Sequence, residues 1–271
     1  MKRLLFFFLV LVALNLSAQE IVSEQKDVDH LLEEATRAYQ SALEISTDEP
    51  WKADDLFKRS IQFFQGIVDA GIKNGAIYYN MGNAYFRIND LGKAILYYKK
   101  ALEFSPGDAN LLQNLTYARS KRIDSIQDKE EVKILKTLLF FHFDLSSDVK
   151  TLIFVISFVG VWVLAALMIF IHKKVFLNIL IGCALVSCFF FVSMTVDQWA
   201  RANQTQGVIL AEEVVARKGD SASFEPSFQE PLHSGTEFII VEERQDWLQI
   251  ELNDGRRTWL PRKTLGLLKE I

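Results

Sequence analysis

Side chains able to do chemistry are few and widely spaced in this chain. Its two cysteines, Cys183 and Cys188, both fall inside an apolar run. They cannot build a disulfide framework, and their spacing lacks the further ligands a metal site needs, so they read as packing residues. His30 and His233 stand isolated, and His142 lies beside aromatic residues, where an interfacial position explains it better than a ligand role. The acidic residues are scattered. With no nucleophile–base pair, paired acidic site or zinc spacing, the expectation is a chain that is not an enzyme and needs no cofactor. Two other groupings point to recognition. Asn80, Asn83 and Arg87 stand three and four residues apart, so on a helix they share roughly one face. Amides and a guanidinium there could hydrogen-bond a peptide backbone or a carboxylate, or else be solvated residues that support the helix. Trp247 and Trp259 lie in a β-rich tail, either as exposed platforms for a ligand or as core filling of a small domain.

The elements that must position these residues follow from the hydrophobic pattern. Hydrophobic residues make up 50% of the 271 positions and charged residues 24%, a combination that sets apolar membrane segments between polar domains. A formal net charge of −4 supplies no global basic field, so nucleic acid is not expected as a partner. Lys2 and Arg3, the apolar run Leu4–Leu14 and the exit Asn15-Leu16-Ser17-Ala18 have the layout of a secretory signal over residues 1–18. That apolar run rises only about 16 Å as a helix, too short for a hydrocarbon layer of roughly 30 Å. Cleavage after Ala18 and retention as an uncleaved anchor both stay open, and in either case the following residues are exported.

Leu152–Ile171 and Val175–Val196 carry no charge, and each is long enough to span about 30 Å. Only His172-Lys173-Lys174 separates them, so residues 150–197 are expected to form an antiparallel transmembrane hairpin with both flanking domains on one side. The loop lysines place that loop in the cytoplasm, and the soluble parts outside it. The polar groups within the spans, Asn178, Ser187, Ser193 and Thr195, are uncharged, which favours anchoring over ion transport. Gly160 and Gly182 offer places for close helix contact. Before the hairpin, residues 134–148 read as an amphipathic segment at the membrane interface, with Lys136, His142 and Asp144 among apolar residues. Ser146-Ser147-Asp148 then offers N-cap side chains to the first span.

Residues 75–108 carry the most specific pattern, and GAIYYNMGNAYFRINDLGKAILYYKKALEFSPGD resembles a tetratricopeptide repeat throughout. The family's signature slots hold Tyr78, Met81, Gly82, Tyr85, Ala94, Tyr98, Ala101 and Pro106. Small Gly82 and Ala94 suit a helix crossing, Asn89-Asp90 with Gly92 makes the turn, and Pro106 ends the second helix. One repeat cannot bury its apolar face alone. Upstream, Asp29–Leu43 and Trp51–Ala70 read as a degenerate repeat with a stripe of Leu56, Ile61, Phe64 and Ile67. Downstream, Ala109–Lys121 reads as a capping helix with Leu112, Leu115 and Ala118 inward. The all-α repeat domain is expected over residues 27–125. The resemblance implies a concave groove lined by the first helix of each pair, here Tyr79, Asn80, Asn83, Phe86 and Arg87, joined by Asn114 in the equivalent slot of the next repeat.

From residue 205 to 271 the pattern changes to short alternating stretches. Phe238–Val241 is β-rich, Leu248, Ile250 and Leu252 alternate with polar residues, and Asn253-Asp254-Gly255 marks a hairpin turn. The order of Gly235, Trp247, the Asp-Gly turn and Trp259 resembles a small all-β bacterial SH3-like barrel, which implies binding of peptides or cell-wall fragments through Trp247 and Trp259. The whole succession of signal segment, helical repeat, two spans and β tail resembles the BatE-type proteins of bacterial aerotolerance operons. That resemblance implies an inner-membrane protein with both soluble domains periplasmic. It also implies membrane-bound von Willebrand A-type partners with an associated AAA-type ATPase. The function expected is a scaffold for protein–protein interaction; the alternative is a cell-wall or peptide sensor acting through the β domain, with peptidoglycan as its ligand.

Overall fold

The computed structural model of the chain describes residues 27–127, 134–135, 137–143, 145–171 and 174–269. The expected signal segment, Lys136, Asp144 and the loop residues His172-Lys173 lie outside the described residues. The chain forms two compact units that divide between Asp90 and Leu91, inside the segment of repeat character.

The first unit is helical. Helix α1 covers residues 27–45, α2 Pro50–Asp69 and α3 Gly75–Arg87. Pro50 opens α2, where its missing N–H is no loss. Asn74 caps α3, its Oδ1 accepting the Ile77 N–H at 2.9 Å. Small residues let α1 and α2 approach: Ala35 and Ala42 are fully buried, and the Ser60 hydroxyl donates to the Ala35 carbonyl at 2.8 Å. Ile61, Phe64 and Ile67 of the expected stripe are buried, whereas Leu56 is half-buried and Phe57 takes its place, edge-on to Tyr39. The turn after α3 places Asn89 at φ 60°, and the Asp90 N–H donates to the Tyr85 carbonyl. Asparagine is one of the few residues that tolerate this region.

The second unit begins with α4 (Leu91–Phe104) and α5 (Ala109–Ser120), the latter capped by the Asp108 carboxylate. The buried face of α5 is Leu111, Leu115 and Ala118, while the expected Leu112 is 43% exposed. Spacings of four then three keep that face in line, whereas two steps of three drift around the helix. A short helix α6 (Phe140–Phe143) precedes two long helices, α7 (Ser147–Phe170) and α8 (Lys174–Asn203), which pack together. Ser146 caps α7 by accepting the Val149 N–H at 3.3 Å. Both helices are long and apolar enough to cross a membrane, and only 6% and 11% of their apolar windows are buried. Such helices forming a soluble core would be mostly covered. Gly160 brings α7 near the Cys183 sulfur, but Gly182 faces open space and makes no close helix contact. Lys150 is buried and pairs with Asp197 at 2.6 Å.

His142 is not alone. Its Nδ1 lies 2.7 Å from the Ser193 hydroxyl and its Nε2 3.6 Å from Asp197, while Phe141 meets Phe189 edge-on. From Phe189 to Asp197 is about 12 Å along a helix. Phe141 and His142, within the segment expected at the membrane interface, thus meet α8 between Phe189 and Asp197.

The C-terminal part is antiparallel β structure. Strands β1 (Gln206–Ile209), β4 (Glu237–Arg244), β5 (Trp247–Leu252), β6 (Arg257–Pro261) and β7 (Leu265–Leu267) form one sheet in the order β6-β5-β4-β1-β7, and β2 (Glu213–Val214) pairs with β3 (Leu232–His233) in a second. The five-stranded sheet does not close into a barrel: β6 and β7 remain its edges. Its core holds Ile209, Phe238, Leu248, Ile250, Leu252 and Leu260. At the β5–β6 hairpin the expected Asp-Gly turn is present, with Gly255 at φ 83°.

Helix α4 lies on this sheet with almost no space between. A side chain at Gly266 would reach Leu96 at 2.6 Å, and one at Gly92 would reach the Ile209 carbonyl at 2.7 Å. Ile126, from the stretch after α5, packs against the β core.

Candidate functional site

On α3, Tyr79, Asn80, Asn83 and Phe86 are half-buried and Arg87 is exposed, and their spacing puts them along one side of the helix. Tyr39 of α1, absent from the expected set, joins them by hydrogen-bonding Arg87. Burial raises the Tyr39 hydroxyl pKa, the Arg87 charge and hydrogen bond draw it partly back, and Tyr79 adds to the rise. The degenerate register of α1 hid this residue. Asn114 is half-buried on α5, in the second unit.

Within the second unit, the strongest electrostatic feature is Glu237, the first residue of β4. It is 8% exposed and gathers three cations, two from helices and one from just after α5. Lys99 of α4 donates to Oε2 at 2.8 Å, Arg119 of α5 donates to both oxygens at 2.7 Å, and Arg122 reaches Oε1 at 3.2 Å. Burial alone would push this carboxyl up, but the Arg119 hydrogen bonds and the charges of Lys99 and Arg119 hold its pKa at about 2. Beside it, Asp124 accepts from the His233 backbone N–H at 2.7 Å and the Thr236 hydroxyl at 2.5 Å, with the His233 ring at 2.7 Å. Burial opposes ionisation there too, and these hydrogen bonds outweigh it, so the Asp124 pKa is lowered. Nothing in the spacing of Glu237 or Asp124 announced these partners, which lie more than a hundred residues away.

The two tryptophans separate. Trp259 is 5% exposed, with the Arg244 guanidinium 5.0 Å above its ring, and this corrects its expected place on the surface. Register puts it on the sheet face opposite the core pair Leu248 and Leu260, where it lies across from Gln249. Trp247 is half-buried and lines an open groove of about 800 Å³ with Pro261, Arg217, Arg262, Lys263 and Asp246. Arg262 is itself paired with Glu243.

The tetratricopeptide repeat family matches residues 75–108. No curated protein matches the chain. The matched segment runs from the start of α3 to just past α4, and its slot residues Tyr78, Met81, Ala94, Tyr98 and Ala101 are all buried. A repeat of this family supports a protein–protein interaction role, with protein partners.

Proposed function

We propose that the chain is a membrane-anchored, non-catalytic scaffold in which the helical repeat holds a protein partner and the α7–α8 hairpin fixes it to a bilayer. The observation that carries this reading is the repeat match at residues 75–108. The exposed apolar surface of α7 and α8 supports the anchor. Two crossings return a chain to the side it left, and the contacts of Glu237 with Lys99 and Arg119 fit such a same-side arrangement. The overall resemblance to BatE-type proteins extends the proposal to a bacterial inner membrane, with both soluble parts periplasmic. Its partners are then membrane-bound von Willebrand A-type proteins with an associated AAA-type ATPase, in a complex linked to aerotolerance. A photo-crosslinker placed at Asn83 in native membranes tests it: a defined protein partner is expected, and recovery of no specific partner sinks the scaffold.

A second reading, a cell-wall or peptide sensor built on an SH3-like domain, is favoured by the groove beside Trp247. Retention of the full chain on peptidoglycan, lost on Trp247→Ala, is its expected sign; equal retention of both proteins removes it.

A further inference from the structure

A cavity of about 340 Å³ lies where α4, α5, the C-terminal end of α8 and the last strand converge. Its wall has two characters. Lys99, Arg119 and Lys269 supply cationic groups, and Leu102, Leu112 and Leu268 supply apolar surface. The exposed Leu112, displaced from the expected core face of α5, is part of that surface. Gln204, which follows the end of α8, closes one side. This residue stands about one helical turn, roughly 6 Å, beyond Ala200, where the apolar helix ends. The turn between α4 and α5 rests on the start of α7: a side chain at Gly107 would lie 3.2 Å from the Asp148 carboxylate. Both ends of the hairpin thus border the cavity's surroundings, at the level where a bilayer presents its headgroups.

Among the described residues, the wall carries Lys99, Arg119 and Lys269 with one carboxylate, Glu103, and Lys99 and Arg119 also pair with Glu237. Lys99 gives Glu237 one of its three N–H donors, and Arg119 gives Nε and one Nη, which leaves Nη1. We infer that this cavity binds the headgroup of an anionic phospholipid, its phosphodiester accepting from Lys99 and Arg119 and its glycerol end lying on Leu102 and Leu112. The inference rests on the membrane anchoring proposed above.

The test uses the full chain in detergent micelles holding equal amounts of phosphatidylglycerol and phosphatidylethanolamine, read by native mass spectrometry. Selective retention of phosphatidylglycerol is expected. Lys269→Glu reverses a charge in the cavity wall while leaving Lys99 and Arg119, the partners of Glu237, in place, and should lower retention roughly tenfold, with Lys269→Arg near wild type. Equal retention of the two lipids, or unchanged retention in Lys269→Glu, overturns the site. Displacement of the lipid by inorganic phosphate alone also overturns it, because a free anion would then be the ligand. Alkaline carbonate extraction keeps the two readings apart: a chain that stays in the membrane yet shows no lipid preference defeats this inference alone, and a chain that is released defeats the anchor as well.

Discussion

Replacing Glu237 by glutamine keeps the shape of the side chain and removes its charge, while Lys99, Arg119 and Arg122 stay in place. An ordinary value of 4.5 held down to about 2 corresponds to about 3 kcal/mol of stabilisation at neutral pH. That figure agrees with the roughly 3–5 kcal/mol lost when one partner of a buried ion pair is removed. Hydrogen exchange of the full chain in nanodiscs, followed by mass spectrometry, reads the effect locally. Protection of β4 and α5 in Glu237→Gln should fall by about a hundredfold, with peptides of α2 unchanged. The pH dependence fixes the cause. A carboxyl with a depressed pKa in the folded state stabilises above its unfolded value, and this contribution is lost as pH falls from 4.5 towards 2. The difference in thermal transition between wild type and Glu237→Gln should therefore be full at neutral pH and close across that window. Asp124, whose pKa is also lowered, is present in both proteins and cancels in the comparison. Exchange rates within threefold of wild type, or a gap that persists at low pH, would refute the electrostatic account.

Further substitutions test the packing. Gly266→Val drives a side chain into Leu96 and should destabilise the second unit by about 1–3 kcal/mol, seen as a lower thermal transition. Asp197→Asn leaves the buried Lys150 without its ion pair, so the reconstituted hairpin should lose resistance to proteolysis, and the added change Lys150→Met should restore it. Trp259→Ala should cost about 3–5 kcal/mol in thermal unfolding because its indole is buried, while Trp247→Ala should cost far less.

Elements with a local cause were readable from the residues. The repeat announced itself because Met81, Ala94 and Ala101 must be of the right size at fixed spacing, and all are fully buried. The two apolar helices and the Gly255 turn were readable for the same kind of reason. What could not be read was set by distance along the chain. Lys99, Arg119 and Glu237 look like unrelated surface charges until the fold brings them together. Trp259 failed as a surface residue although register puts it on the outer face of the sheet, opposite Leu260, because the Arg244 guanidinium lies over its ring, a contact that one tryptophan cannot reveal. His142 gained partners only when α6 lay against α8.

The position of α4 gives the β domain a structural reason to exist. A helical repeat leaves an apolar face that the next repeat ordinarily covers. Here α5 is followed by the hairpin, so no further repeat arrives. The chain instead returns after α8 as strands, and β1 and β7 take up the face of α4 through Leu96 against Gly266 and the Ile209 backbone against Gly92. Glycine at these two points allows a contact closer than any side chain would permit. Apolar contact of this kind is not directional, whereas Glu237, with charge-assisted hydrogen bonds from α4 and α5, fixes one orientation. The β domain thus caps α4 and α5.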